Sequence, residues 1–220
     1  MNLIRLIAVV MVSAACACAA QTVDSGVGAK TVIWSPPDVG WWDDMPQPTI
    51  PKEMIGALRV ANAPIVLEET NLEDARRRFG GTIGDRGDAG DALGWLCLDG
   101  SDRDSSWILW LTSSEIDGLA IGGFQWRRLS RNETPDRRCS RIPEDKSGID
   151  LPIALHLGMK RNEVQKCLGR PTVIRGKTFF FCHEHHRVIR KQDFSVSNDV
   201  AITFRNGAVW EIEATKTTSD

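Results

Sequence analysis

The sequence predicts an α+β fold made of two tandem units, each with one helix followed by an antiparallel meander of strands. Three observations support this prediction. A short helix with a defined start and end lies within residues 155–171, and apolar runs after it lead to a strand–turn–strand in residues 201–213. A similar order of elements occurs upstream, where residues 70–80 also form a helical pattern that ends in glycine.

The helix of the second unit has a clear apolar side and a clear end. Val164 and Leu168 are four residues apart and share one helix face. Gly169 suits the positive-φ residue that closes a helix, and Pro171 prevents further helical residues. The later segment bends at Asn206-Gly207, a pair typical of two-residue hairpins.

The first unit is aligned with the second by matching Phe79-Gly80 to Leu168-Gly169. In the upstream helix, Thr70 and Glu73 have the spacing of a capping box, in which each side chain satisfies a backbone amide of the first turn. The agreement of apolar run, helix, glycine and strands favours a tandem arrangement. We therefore expect a first repeat at 52–142 and a second at 143–220.

The second repeat resembles a known family in four places: Gly158-Met159, Glu163-Val164, residues 168–171 and the hairpin 204–209. It is similar to the small outer-membrane lipoproteins of the barrel-assembly machinery (SmpA/OmlA-like) and to the related fold of β-lactamase-inhibitor protein. The resemblance implies one continuous curved sheet with helices on its convex side, and a function in binding another protein.

One departure from that family concerns the start of the helix. The family usually has Thr or Ser where this chain has Lys160. Lysine cannot accept a hydrogen bond from the exposed helix amides, so we expect another cap, such as Asn162.

The first twenty residues have the pattern of a targeting segment, with Arg5 before an apolar stretch and small residues after it. Two cleavage sites remain open. Cleavage before Cys16 would give an outer-membrane lipoprotein anchored through that residue, whereas cleavage after Ala20 would give a periplasmic protein. Either route exports the protein.

Cysteine usage agrees with export. Four further cysteines allow three disulfide pairings, and they are Cys97, Cys139, Cys167 and Cys182. We expect Cys167–Cys182, which would tie the second helix to the first strand after it, and therefore Cys97–Cys139.

Residues 21–51 form a Trp/Pro-rich arm, because the prolines are too dense for a helix or a central strand. The segment Trp107–Leu111 is predicted to be a strand that is apolar on both faces. Since one face of a helix-covered sheet normally meets water, this strand needs a second cover. That cover could be the arm, a sister chain or a binding partner.

Few residues suggest chemistry. His183, His185 and His186 are weak candidates for a metal site, but a polar hairpin tip is the preferred interpretation, and no cofactor is predicted. The chain has no nucleophile elbow, zinc-protease motif or phosphate loop, so we predict that it is not an enzyme, with an unrecognised hydrolase as a distant alternative.

The net charge is only −2, so nucleic acid is not implied as a partner, and the predicted export argues against it. The arginines between residues 127 and 141 are interpreted as part of a solvated linker between the repeats.

These patterns predict an exported module that binds or inhibits a partner protein, an enzyme or a toxin, in the cell envelope. The alternative is a lipid-anchored envelope scaffold held through Cys16. Tryptophan is favoured at protein interfaces, and the predicted contacts on an aromatic sheet face are Trp107, Trp110, Trp126 and Trp210. Such a face fits a homodimer as well as a foreign partner.

Overall fold

Strands dominate the protein. A computed structural model describes residues 30–37, 48–50, 52, 54–88, 92–102, 105–115, 117–146, 148–189 and 191–219. Of these residues, 53% lie in strands and 11% in helices. The predicted α+β class, with two helix-plus-meander repeats, is therefore wrong, and the protein is mostly β.

The described chain contains strands and two short α-helices in the following order: β1 (Thr31–Ile33), β2 (Ala57–Val60), β3 (Ala63–Val66), α1 (Leu72–Phe79), β4 (Ile83–Arg86), β5 (Leu93–Ser101), β6 (Ser106–Ser114), β7 (Gly123–Arg128), β8 (Glu133–Pro135), β9 (Ser140–Arg141), β10 (Ile149–Asp150), α2 (Arg161–Leu168), β11 (Val173–Arg175), β12 (Thr178–Ile189), β13 (Gln192–Arg205) and β14 (Ala208–Ser219).

The main sheet has nine strands, and eight of them follow the order β11-β12-β13-β14-β7-β6-β5-β4. Neighbours along this order are antiparallel, and β9 joins β5 in parallel. Two smaller sheets accompany it: β10-β2-β3 is antiparallel, and β1-β8 is parallel. The pairing of β7 with β14 in mid-sheet makes the main sheet continuous.

The α+β prediction failed because it overestimated the helical share of the chain. Each helix has only eight residues, whereas β12, β13 and β14 have 12, 14 and 12 residues. The predicted units consist of a helix followed by strands, but β2, β3 and β10 precede the helices and pair into a sheet of their own. Backbone groups that leave water need partners, and a third strand supplies them.

The start of α1 differs from the prediction by one residue. Asn71 is the N-cap, and its side-chain oxygen accepts a hydrogen bond from the Asp74 amide at 2.8 Å. The Thr70 hydroxyl instead accepts from the Val66 amide at 3.0 Å. Thr70 therefore closes the turn that precedes the helix.

Helix α2 has Lys160 as its N-cap residue, and the Lys160 side chain makes no capping hydrogen bond. The Glu163 carboxylate reaches back to accept from the Lys160 amide at 2.6 Å, so Asn162 is not the cap. The predicted helix ends are confirmed, since Gly80 and Gly169 follow α1 and α2 with φ of 80° and 82°. Glycine populates this region without steric penalty.

The largest core lies between the main sheet and the elements packed on one of its faces. Leu72 and Ala75 of α1 and Val164 of α2 belong to this core. Alternate residues of the sheet strands point into it, including Leu96, Leu109, Phe124, Phe181, Ile202 and Ile212.

Asn198 of β13 fastens the chain before β2 to this face. Its side chain is fully buried, and Oδ1 accepts from the amides of Met54 at 2.9 Å and Ile55 at 3.0 Å. Nδ2 donates to the carbonyls of Ile55 and Thr215 at 3.0 and 2.8 Å. Every polar atom of the amide is thus satisfied in a dry site.

The other face of the main sheet is closed over β5 and β6. This covered half (Trp95, Cys97, Ile108 and Trp110) packs against Ile33, Trp34, Leu129 and Cys139. The Trp110 indole donates to the Trp34 carbonyl at 2.9 Å. The predicted need for a second cover is confirmed, and the arm supplies part of it through Trp34.

Candidate functional site

Three of the four predicted contact tryptophans are buried. Trp107 and Trp126 point into the core beneath the helices, and Trp110 is 0% exposed within the covered half. These three side chains therefore do not form an exposed binding face. They belong to the core because the elements on each side of the sheet close over both faces of β6.

Trp210 has a different environment because of a β-bulge. In the β13–β14 pair, Phe204 faces Val209 but Thr203 faces Glu211, which leaves Trp210 as the extra residue. A bulge bends its strand and redirects the inserted side chain. The turn itself is the predicted one, with Asn206 and Gly207 both at positive φ. Trp210 is consequently half-buried at the edge of a surface cleft.

This Trp210 cleft has a volume of about 530 Å³ and is cationic. Three arginines line it, Arg128, Arg131 and Arg205, and no carboxylate occurs among the described lining residues. The Arg205 guanidinium lies 4.7 Å from the centre of the Trp210 ring and donates to the Ser130 hydroxyl at 3.1 Å. Such a cation–π contact holds both groups in place.

Arg128 is positioned by a glycine across from it. Gly158 has a φ of 91°, and a Cβ added there would lie 2.5 Å from the Arg128 Nη2 atom. Any other residue at 158 would displace the guanidinium. The Nε atom of Arg128 is buried and has no hydrogen-bond partner. Gly158, which belongs to the Gly158-Met159 motif of the sequence, therefore leaves space for the Arg128 guanidinium in the cleft.

A second cleft of about 520 Å³ adjoins the first, shares Trp210 and two of its arginines, and adds Lys30 and Arg141. Among its described lining residues the carboxylate is Glu133, which accepts hydrogen bonds from Arg127 at 3.1 Å and from the Ser130 amide at 2.8 Å. Burial raises the pKa of Glu133, but these hydrogen bonds and the Arg127 charge outweigh burial and lower it. Glu133 therefore stays ionised and paired with Arg127, and Arg141 is paired with Asp99 at 2.6 Å. The positive charge of this surface comes from the other arginines, Arg128, Arg131 and Arg205.

Sequence reasoning missed the cationic character of this site. The arginines of residues 127–141 were interpreted as a solvated linker, but Arg127 and Arg128 end strand β7. Arg205 comes from the distant hairpin and meets them only through the β7–β14 pairing. Arg205 directly precedes Asn206-Gly207 and lies close to Trp210 in the sequence. This closeness could have indicated the cleft.

One of the two predicted disulfides is present. Cys97 and Cys139 are bonded, with their Cα atoms 4.6 Å apart. The predicted Cys167–Cys182 bond is wrong, because Cys167 is an exposed free thiol and Cys182 a buried one. Cys182 packs with Phe180 and Ala201 on the sheet face away from α2, so the sheet separates the two sulfur atoms.

The environment of Cys182 suppresses its reactivity. Burial raises the pKa of this thiol to about 12, and the nearby Asp199 carboxylate adds to the effect. A nucleophilic or metal-binding cysteine needs the thiolate form. Cys182 is therefore a packing residue.

The three histidines divide between the two sheet faces. His183 and His185 share a face, with Nε2 and Nδ1 3.2 Å apart, and His183 Nδ1 lies 2.6 Å from the Ile50 carbonyl. His186 points the other way and lies 3.6 Å from Asp193. Within the described ranges, no three His, Cys, Asp or Glu side chains are grouped as a metal site requires.

The predicted lipidation residue Cys16 and the targeting segment lie outside the described residues. None of the described helices is long and apolar enough to cross a membrane. Comparison of the chain with protein-family models, with curated proteins and with solved structures found no match. The resemblance to the barrel-assembly lipoproteins and the inhibitor protein therefore stays a prediction.

Proposed function

We propose that the protein is an exported, non-catalytic module that binds an acidic segment of a partner protein in the Trp210 cleft. One observation carries this proposal: a half-buried tryptophan lies in a cleft lined by three arginines and, among the described residues, by no carboxylate. Of the four tryptophans predicted as contacts, Trp210 is the one that supports this proposal, because it lies beside these arginines.

Tryptophan and arginine are the residues most enriched at the energetic centres of protein interfaces. Arginine forms paired hydrogen bonds with carboxylates, and these are stronger than bonds between neutral groups. Arg131 and Arg205 are exposed, so an incoming carboxylate can reach them without rearrangement of the core. A peptide with an acidic residue beside an apolar one matches this combination of guanidinium groups and indole.

Two further observations favour an exported binding protein. The Cys97–Cys139 disulfide is typical of an oxidising compartment such as the periplasm. The buried thiol of Cys182, with its pKa raised to about 12, is unsuited to nucleophilic catalysis. The partner we infer is an envelope enzyme or toxin that presents an acidic loop.

The first test uses the chain from Gln21 onward and a fluorescein-labelled peptide rich in Glu and Asp around a central Leu. We expect fluorescence anisotropy to show saturable binding that weakens as salt increases. The Trp210→Ala substitution should weaken binding about thirtyfold, as expected for a residue at the centre of an interface. Arg205→Ala should also weaken it, since the guanidinium both pairs with carboxylates and covers the indole.

Arg161→Ala is the matched control. Arg161 also lies over aromatic rings, those of Phe179 and Phe204, but it does not line the cleft. Its removal should leave peptide binding unchanged. Equal binding by wild type and Trp210→Ala, or stronger binding of a Lys-rich peptide, would contradict the proposal. Self-association that Trp210→Ala abolishes, measured by analytical ultracentrifugation, would replace the foreign partner with a second copy of the chain.

A further inference from the structure

A groove of about 450 Å³ with polar side chains on its floor lies on the main sheet away from both helices, beside the covered half. Its floor comes from three adjacent strands. Gln125 of β7 is directly opposite Glu213 of β14, and Asp199 of β13 is opposite Thr215 of β14. These residues alternate with core residues such as Phe124, so their side chains point to the groove. We refer to this site (Gln125, Asp199, Glu213 and Thr215) as the acceptor groove.

Gln125 is the clearest sign of a ligand. Its side chain is only 2% exposed, and its Nε2 donates to the Glu213 carboxylate at 3.2 Å. Its Oε1 is buried and has no hydrogen-bond partner. The opposite orientation of the amide would set its oxygen against a carboxylate, which only accepts, so Glu213 fixes the oxygen as the unpaired atom. A buried unpaired acceptor requires an explanation, and a bound donor supplies one.

The charge of the groove points to a cationic donor. The described lining includes three carboxylates and no lysine, arginine or histidine. Asp117 accepts hydrogen bonds from the Ser114 amide and hydroxyl at 2.9 and 2.6 Å. The carboxylates of Asp199 and Glu213 line the groove beside Gln125. An anion would be repelled by these two groups, whereas a cation would balance the charge that burial makes unfavourable.

The shape of the groove adds an apolar wall. Pro36 and Leu93 line it together with the polar floor. An aliphatic stem can lie along such a wall while its charged end reaches the acceptors, as lysine side chains commonly do. Hydroxyl groups of Thr112, Ser197 and Thr217 border the same space and can accept further hydrogen bonds.

We propose that the acceptor groove binds an aliphatic primary ammonium group, with Gln125 and Asp199 accepting its hydrogen bonds and Glu213 adding charge. The ligand is either a free diamine or polyamine, or a lysine side chain of a protein. This inference does not rest on the proposed function, because the described lining residues of the groove and of the Trp210 cleft are all different.

The groups around Asp199 predict how binding depends on pH. Burial raises the pKa of Asp199 to about 6, with the charge of Glu184 adding to the rise. Hydrogen bonds from Cys182 and the His183 backbone, and the His183 charge, act in the opposite direction. Glu213 of β14 lines the same groove. Ammonium binding should therefore weaken as the pH falls through about 6, because Asp199 loses its charge.

The test is isothermal titration calorimetry of the chain from Gln21 onward with 1,4-diaminobutane, spermidine and an acetylated, amidated lysine. We expect saturable binding of at least one of these amines at about pH 8 and weaker binding at about pH 5. Asp199→Asn should reduce affinity about tenfold or more and remove the pH dependence. Butane-1,4-diol and succinate, which have a similar length but no positive charge, should not bind.

Asp193→Asn is the matched control, because Asp193 is an exposed carboxylate on the same strand that does not line the groove. The Asp193→Asn variant should bind the amines with the same affinity as wild type. Gln125→Met, which keeps the volume but removes the unpaired oxygen, gives a second variant if Asp199→Asn fails to fold. Binding of the diamine or polyamine alone identifies a free amine as ligand, and binding of the lysine derivative identifies a protein side chain. No saturable amine binding, or equal binding of the diol, would overturn the proposal.

Discussion

The sheet face that points away from the helices has two halves, and they differ in the polarity of their side chains and in whether they are covered. Over β5 and β6, the covered half is apolar and is closed by Trp34 and its neighbours. Over β7, β14 and β13, the same face carries Gln125, Asp199 and Glu213, and the described residues there form a groove, which we call the open half. Covering apolar side chains stabilises the folded state, whereas covering carboxylates destabilises it because they lose solvation. Within one continuous sheet, the outward residues of each strand therefore decide whether the face becomes core or site.

The disulfide is the strongest single constraint on the covered half. Replacing Cys97 and Cys139 with serine should lower the free energy of unfolding by about 4 kcal/mol, because the bond closes a loop across 42 residues. Urea unfolding of the double variant measures this loss. Reducing agent should shift the wild-type transition in the same direction.

Cys167→Ser is the control for that experiment. Its thiol is exposed and free, so the free energy of unfolding should change by less than about 0.5 kcal/mol. A wild-type transition that reductant leaves in place would show that the covered half does not depend on the bond.

The open half should respond to pH through Asp199. Burial raises the pKa of this carboxyl in the folded protein to about 6, above its ordinary value of 3.8. The folded state therefore binds the proton more tightly than the unfolded chain, and wild type gains stability from this group as the pH falls through about 6. After allowance for partial exposure, Asp199→Asn should be about 1–2 kcal/mol more stable than wild type at about pH 8.

This difference should shrink towards about pH 4, where wild-type Asp199 is largely protonated in the folded state. Urea midpoints of the two proteins at both pH values provide the measurement. A variant that is less stable than wild type at about pH 8 would mean that the ionised carboxylate stabilises the fold. The outward side chains of both halves would then contribute to stability.

Two tryptophans of the covered half give the smallest expected difference in unfolding free energy. The indole of Trp110 donates to the Trp34 carbonyl, whereas the Nε1 of Trp95 is buried without a partner. Trp110→Phe should cost about 1 kcal/mol more than Trp95→Phe, because only the first removes a hydrogen bond. Thermal or urea unfolding of both variants tests this, and equal losses would show that the bond to the arm contributes nothing.

Local features were largely predictable from the sequence. The glycine at the end of each helix and the Asn206-Gly207 turn were found because glycine and asparagine tolerate positive φ, a property of single residues. The need for a cover over Trp107–Leu111 followed from its two apolar faces. The helical share was overestimated because short apolar runs do not reveal whether they pair with other strands.

The candidate site was less predictable. Four tryptophans had equal standing in the sequence, yet only Trp210 is displaced by a bulge into a surface cleft. Arg128 and Arg205 are far apart in the chain and meet at one cleft. No local pattern contains that information, because it depends on which strands become neighbours.

The sequence by itself determined where helices end, where the last hairpin turns and which strand required cover on both faces. These follow from the conformational preferences and hydrophobicity of neighbouring residues. The tertiary structure decided which cysteines bond, since the sheet separates Cys167 from Cys182. It also decided which polar groups converge, since the pairing of β7 with β14 brings Gln125 against Glu213. Long-range strand pairing sets these contacts, and it depends on the packing of the whole sheet.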